Sequence, residues 1–125
     1  MSNFARLPAV LAERLSAASF SDLHVYRDHE LHLHVTNAAI LPLAGLLRSD
    51  FGAELALMAA NDRRGDRDLF EVAYLFANDA EDWFVHAVLD VPPQAPTLPS
   101  LATFYLPAAR FEREIRDMSA DDAAI

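Results

Sequence analysis

Apolar residues recur along this chain with two different periods, which separate predicted helices from predicted strands. Residues 7–19 predict a helix, because one stripe at helical spacing collects Leu7, Leu11, Leu15 and Ala18, with Val10 beside it. A second helix is predicted over residues 37–51, with Asn37 as a possible cap and Gly52 at its C-terminal end. Pro42 is compatible only with a first turn, so this helix could begin as late as Leu41.

Five further stretches have the composition or the two-residue alternation that is typical of strands. They are Leu23–Arg27, Leu31–Thr36, Ala53–Ala60, Leu69–Phe76 and Trp83–Val91. The first two flank the polar residues 27–30 and predict a hairpin. In the last two, both faces carry large apolar residues, although a sheet covered on one side should be polar on the other. Either a terminal segment covers that second face, or it is a protein interface.

The chain after the last strand predicts a connection, a closing helix and a short tail. Residues 92–107 contain five prolines, which favour an extended connection. Pro107 suits the first position of a helix over residues 107–118, and residues 119–125 form a polar tail. The element order α-β-β-α-β-β-β-α predicts one α+β domain over residues 1–125, with helices on one face of a mainly antiparallel five-stranded sheet.

Composition narrows the functions that such a domain can have. The 125 residues include no cysteine, which excludes disulfides and iron–sulfur or zinc sites with thiolate ligands. The net charge of −9 opposes binding to nucleic acid and to anionic lipid. No apolar run is long enough to span a membrane, and the N-terminus does not resemble a signal peptide. The lack of cysteine fits a cytoplasmic protein.

The sequence FEREIRDM, residues 111–118, is the most informative stretch of the closing helix. At helical spacing, one apolar stripe contains Phe111, Ile115 and Met118. Two pairs of opposite charge lie four residues apart, Glu112–Arg116 and Arg113–Asp117. Spacing alone favours an ordinary solvated helix, stabilised by ion pairs of a few tenths of a kcal/mol each.

FEREIRDM, together with PTLPSL at Pro96–Leu101, resembles the ERExxD signature of a known family. That family is the 30 kDa-type subunit of NADH:quinone oxidoreductase (complex I), and it includes a domain of membrane-bound NiFe hydrogenases and formate hydrogenlyases. The resemblance implies a non-catalytic assembly subunit that docks onto a 49 kDa-type or NiFe hydrogenase large subunit. It also implies that the flavin and iron–sulfur centres lie in other subunits, so this chain should hold no cofactor, metal or active site.

Residue by residue, the resemblance implies that the partner interface includes Glu112, Arg113, Glu114 and Asp117. It also implies a cytoplasmic location, peripheral to the inner membrane through the complex. This chain has Phe111 where the family usually has tryptophan, and Ser119-Ala120-Asp121 where the family usually has Phe-Gly-Ile.

Two other hypotheses rest on the residues themselves. The chain could be a free-standing α+β module that self-associates through its sheet, for example as a homodimer. It could also bind zinc or copper, because His32 and His34 point the same way on a predicted strand and His24 lies across the hairpin. In the simpler interpretation Leu31, Leu33 and Val35 face the core, and the histidines face water or a partner. Hydrolases and nucleotide-binding enzymes are not favoured, since GxSxG, P-loop and GxGxxG motifs are absent.

Overall fold

A computed structural model describes residues 3–16, 19–92 and 98–118 of the chain. A 3₁₀ helix (Asn3–Arg6) comes first, and the elements that follow it are, in order, a helix, two strands, a helix, three strands and a helix. The elements are α1 (Leu7–Arg14), β1 (Phe20–Val25), β2 (Glu30–Val35), α2 (Ile40–Phe51), β3 (Glu54–Asp62), β4 (Phe70–Asn78), β5 (Trp83–Val91) and α3 (Leu106–Met118). The predicted element order and the α+β class are confirmed.

The five strands of the described residues form one mixed sheet with the spatial order β1-β2-β5-β4-β3. Strand β2 pairs with β5 in parallel, and the other three neighbouring pairs are antiparallel. The sheet is therefore mainly antiparallel, as the sequence predicts. The parallel pair places the hairpin of β1 and β2 beside the later meander of β3, β4 and β5.

One face of the sheet carries the hydrophobic core. The alternation in β2, β4 and β5 puts every second side chain on this face, and the helices pack onto it. Its strand residues include Leu31, Leu33, Val35, Phe70, Val72, Tyr74, Phe76, Trp83, Val85, Ala87, Leu89 and Val91. The helices add Leu7, Leu11, Ile40, Leu43, Leu47, Ala108 and Ile115, and Leu15 joins them directly after α1. All three helices thus belong to one core, on one side of the sheet.

The first helix and the first strand differ most from the prediction. Helix α1 ends at Arg14 rather than near residue 19, because Leu15 has an extended backbone, while Ala18 lies outside the described residues. Strand β1 begins at Phe20, before the predicted start at Leu23. A register irregularity between Ser21 and His24 interrupts the two-residue alternation there, so the pattern hides the start of the strand.

The later helices lie close to their predicted positions. Helix α2 begins at Ile40, so Pro42 is in its first turn, and it is capped at its C-terminal end by Gly52, whose φ of 63° is left-handed. Helix α3 begins at Leu106, one residue before the predicted start at Pro107. The predicted tail over residues 119–125 lies outside the described residues. Within the described ranges, none of the helices combines the length and the apolar character needed to cross a membrane.

The connection before α3 is more structured than the predicted extended segment. Residues 102–104 form a turn, and Leu101 and Tyr105 on either side of it are buried in the core. The Tyr105 hydroxyl donates a hydrogen bond to the Ala53 carbonyl oxygen at 2.9 Å and lies 3.4 Å from the Ala44 carbonyl oxygen. Tyr105 therefore fastens this connection to both α2 and the start of β3.

We expect Tyr105→Phe to lower the free energy of unfolding by about 1–2 kcal/mol, because it removes the donor and leaves a buried carbonyl oxygen unpaired. Burial raises the pKa of Tyr105 above its ordinary value, so the hydroxyl stays protonated and able to donate. Urea unfolding measures the difference. Tyr26→Phe is the matched control, since Tyr26 is 48% exposed and should lose little stability. Equal stability of the two variants would show that this hydrogen bond does not hold the connection.

Candidate functional site on the closing helix

Helix α3 packs against β3 and presents one apolar stripe to the core. Ala108 and Ile115 are buried, and Phe111 is half-buried against the core cluster. The predicted stripe is confirmed for Phe111 and Ile115, whereas the side chain of Met118 lies outside the described residues. Because these residues fix the rotation of the helix about its axis, they determine which charged side chains of FEREIRDM face outward.

Glu112 is engaged inside the chain. Its two carboxylate oxygens accept hydrogen bonds from the Ser100 hydroxyl and from the Leu101 backbone N–H, each at 2.8 Å. The Ser100 hydroxyl in turn accepts a hydrogen bond from the Ala102 backbone N–H at 3.2 Å. Glu112 therefore joins α3 to the turn that precedes it, a role that the helical spacing does not reveal.

The charge of Glu112 also bears on the core beneath the helix. Burial, together with the charge of Glu112, raises the pKa of the Tyr74 hydroxyl. Tyr74 lies on β4 with no exposed surface, and no hydrogen-bond partner is present for its hydroxyl among the described residues. Tyr74 is thus an uncharged residue of the core.

Arg113 and Glu114 are exposed on the outer side of α3. Glu114 lies 3.9 Å from the Arg110 guanidinium, and both side chains are mostly exposed, so this pair adds little stability. The side chains of Arg116 and Asp117 lie outside the described residues, so the predicted pairs Glu112–Arg116 and Arg113–Asp117 remain predictions. The motif is thus divided between Glu112, which is hydrogen-bonded within the chain, and Arg113 and Glu114, which are exposed.

The face of the sheet opposite the helices, here called the open face, carries four of the five histidines, whereas His29 lies in the turn between β1 and β2. His24 of β1 pairs with His32 of β2, which pairs with His86 of β5. Ring centroids are 5.4 Å apart for His24 and His32 and 4.9 Å apart for His32 and His86. His34 is on the same face, so the simpler interpretation of Leu31, Leu33 and Val35 as core residues is confirmed.

This row of rings is not arranged as a metal site. Within residues 3–16, 19–92 and 98–118, no group of three or more histidine, aspartate or glutamate side chains could hold a metal ion. The Nδ1 atom of His24 lies 2.7 Å from the Asp22 carbonyl oxygen, and Nε2 of His32 lies 3.3 Å from a Glu30 carboxylate oxygen. The zinc or copper hypothesis for His24, His32 and His34 therefore has no geometric support.

The open face also carries the apolar residues that the sequence places there. Leu75, Phe84 and Val88 are half-buried and stand apart from the core cluster. Burial lowers the pKa of His86, and so does the neighbouring His32, so His86 favours its neutral form. The sequence assigned His86 to a sheet face but did not place it beside His32, because the parallel pairing of β2 with β5 is not local.

We expect Glu112→Gln to lower the free energy of unfolding by about 1 kcal/mol, because the neutral amide replaces a charged acceptor of two hydrogen bonds. Glu114→Gln is the matched control and should change it by a few tenths of a kcal/mol at most. Urea unfolding of the two variants compares them directly. If Glu114→Gln is as destabilising as Glu112→Gln, the division of the motif into a folding half and an exposed half is wrong.

Solved structures with folds similar to this one include the following two. The trypsin-resistant fragment (1-134) of Nqo5 has a TM-score of 0.72 and 20% sequence identity, and the match covers 92% of each chain. A chain of the membrane-bound sulfane sulfur reductase, an archaeal respiratory membrane complex, has a TM-score of 0.72 and 17% identity. That match covers 90% of this chain but 65% of the archaeal one, which is less than two thirds. At such identities the likeness concerns the fold.

Family membership rests on a separate comparison. The curated proteins give no match. Residues 33–120, however, match the family described as "Respiratory-chain NADH dehydrogenase, 30 Kd subunit". This range is more than half of the chain and extends from β2 through α3, so it includes FEREIRDM. The resemblance seen in the sequence is confirmed: the chain belongs to the family of the 30 kDa subunit of respiratory-chain NADH dehydrogenase.

Proposed function

We propose that this chain is a non-catalytic assembly subunit of a complex I-like NADH:quinone oxidoreductase or a related NiFe hydrogenase. It docks onto the large subunit of the electron-transfer arm, which is of the 49 kDa type or the NiFe hydrogenase type. The observation that carries this proposal is the exposure of Arg113 and Glu114 on a helix that Glu112 and the core hold in place. Membership of the 30 kDa subunit family supports it.

The geometry of α3 suits an interface that must fix one orientation. An arginine guanidinium pairs with carboxylates in a planar, directional manner, so Arg113 can select a particular arrangement of the partner. Glu114 offers a carboxylate next to it on the exposed side of the same helix. Asp117 completes the proposed interface through the family motif. Glu112 contributes indirectly, because its hydrogen bonds to residues 100 and 101 keep the helix at a defined position.

In this proposal the chain takes no part in electron transfer itself. It contains no cysteine, so it offers no thiolate ligand to an iron–sulfur cluster. The flavin, the clusters and the substrate sites are expected in other subunits. The role of this chain is then to stabilise the large subunit in its position, and we place it in the cytoplasm, peripheral to the inner membrane through the complex. The archaeal protein of similar fold belongs to a complex that is itself described as a respiratory membrane complex.

Family membership favours this role over the free-standing module that self-associates through its sheet. A charge of −9 on each copy adds a repulsion between identical chains. We therefore expect the open face to bind a different protein rather than a second copy of this chain.

We expect Arg113→Ala to weaken co-purification with the large subunit strongly, while the melting temperature of the isolated chain hardly changes. Loss of one partner of a desolvated interfacial pair costs about 2–5 kcal/mol of binding, because the other charge stays buried and unpaired. An exposed charge contributes at most about 1 kcal/mol to folding. Arg14→Ala is the matched control, since Arg14 is an exposed arginine on α1, and it should leave co-purification unchanged.

Ile115→Ala separates folding from docking in the same assay. Ile115 is 2% exposed, so its truncation should lower the free energy of unfolding by about 2–5 kcal/mol and visibly lower the melting temperature. The proposal fails if Arg113→Ala unfolds the chain like Ile115→Ala, or if the folded Arg113→Ala chain still co-purifies as well as the Arg14→Ala chain.

A further inference from the structure

The open face contains a depression of about 300 Å³. It is lined by Glu30, His32, Leu75, Phe84 and His86. The strand register explains why they converge: Glu30 pairs with Phe84, and His86 pairs with His32 on one side and with Leu75 on the other. Three neighbouring strands, β2, β5 and β4, therefore build one pocket with apolar walls and a carboxylate. Its volume is at the lower end for ligand pockets and suits a single side chain better than a cofactor.

The carboxylate of this pocket differs from the other carboxylates of the open face. Glu71 lies 2.6 Å from the Arg67 guanidinium, and Asp90 lies 3.2 Å from the same group. Arg63 lies 4.0 Å from Glu71 as well, so each of these carboxylates has an arginine partner. Glu30 lies 3.3 Å from His32, which is a counter-charge only when protonated. The Glu30 side chain is 28% exposed, so it is partly desolvated yet still reachable from outside.

His86, the second imidazole of the pocket, does not offset the negative charge of Glu30. Burial, assisted by His32, lowers the pKa of His86, so His86 is mainly neutral near neutral pH. Half-buried Phe84 and Leu75 supply apolar surface beside the Glu30 carboxylate. A group that fits must combine an apolar stem, a flat face for the aromatic ring and a positive charge.

We propose that this pocket receives the guanidinium group of an arginine side chain on a partner protein. The Glu30 carboxylate accepts its hydrogen bonds, the Phe84 ring contacts its cationic face, and Leu75 packs against its aliphatic stem. Guanidinium is more weakly hydrated than ammonium, pairs with carboxylates through two parallel bonds and stacks on aromatic rings. Each of these properties matches one wall of the pocket.

This inference goes beyond docking through α3 and does not depend on it. Helix α3 packs onto the core face of the sheet, whereas the pocket lies on the open face. The arginine belongs to a different protein rather than to a second copy, because each chain carries a net charge of −9.

The test is a nuclear magnetic resonance titration of the intact chain with N-acetylarginine methylamide. N-acetylcitrulline methylamide is the comparison ligand, because it has nearly the same shape without the charge. We expect saturable shifts of the Glu30, Phe84 and His86 amide resonances with a dissociation constant on the order of 1–10 mM for the arginine compound. Binding should be at least about tenfold weaker for the citrulline compound and for the Glu30→Gln chain.

Glu54→Gln is the matched control for Glu30→Gln, since Glu54 is an exposed carboxylate on β3 outside the pocket, and it should leave the affinity unchanged. The amide spectrum of each variant shows directly that it is folded. The proposal is overturned if the arginine compound shifts no pocket resonance, if the citrulline compound binds equally well, or if folded Glu30→Gln binds like the wild-type chain. The citrulline comparison decides the question even if Glu30→Gln does not fold.

Discussion

The parallel pairing of β2 with β5 is the constraint on which the rest of the structure depends. It joins residues about fifty positions apart in the chain, and it sets β2 between β1 and the meander of β3, β4 and β5. In its register Leu31, Leu33 and Val35 lie beside Val85, Ala87 and Leu89, so both strands bury the same face. A shift of one residue would expose these side chains and bury the histidines instead. The register of β2 and β5 therefore determines both which side chains form the core and which lie on the open face.

The closing helix adds a second constraint at the other edge of the sheet. Tyr105 is bound to the Ala53 carbonyl oxygen, and Glu112 is bound to residues 100 and 101, so the turn before α3 is held from both sides. The helix is short and has an exposed charged side, so its own helical propensity would not fix its position. Packing of Ile115 and these hydrogen bonds fix it instead. The interface that we propose on the outer side of α3 would therefore use a preorganised helix, which reduces the ordering cost of binding.

Local pattern predicted those elements whose side chains alternate regularly. Strand β5 has the bounds expected from the sequence, because Trp83 to Val91 alternate without interruption between the core and the open face. Strand β1 was misplaced because its irregularity between Ser21 and His24 breaks the alternation. The role of Glu112 escaped prediction because its acceptor bonds reach a turn eleven and twelve residues away. The contact of His86 with His32 depends on the parallel pairing, and no local pattern encodes that pairing.

Charge is distributed unevenly over the open face. Near Glu71 and Asp90 both carboxylates have guanidinium partners, because Arg67 contacts both and Arg63 lies 4.0 Å from Glu71. Toward Glu30 the facing groups are imidazoles, of which His86 favours the neutral form, so negative charge remains in an apolar surrounding. Coulomb attraction is stronger in such a partly desolvated place than on an open surface. A cation at this face is therefore attracted to Glu30, and the apolar surfaces of Phe84 and Leu75 fix its position beside the carboxylate.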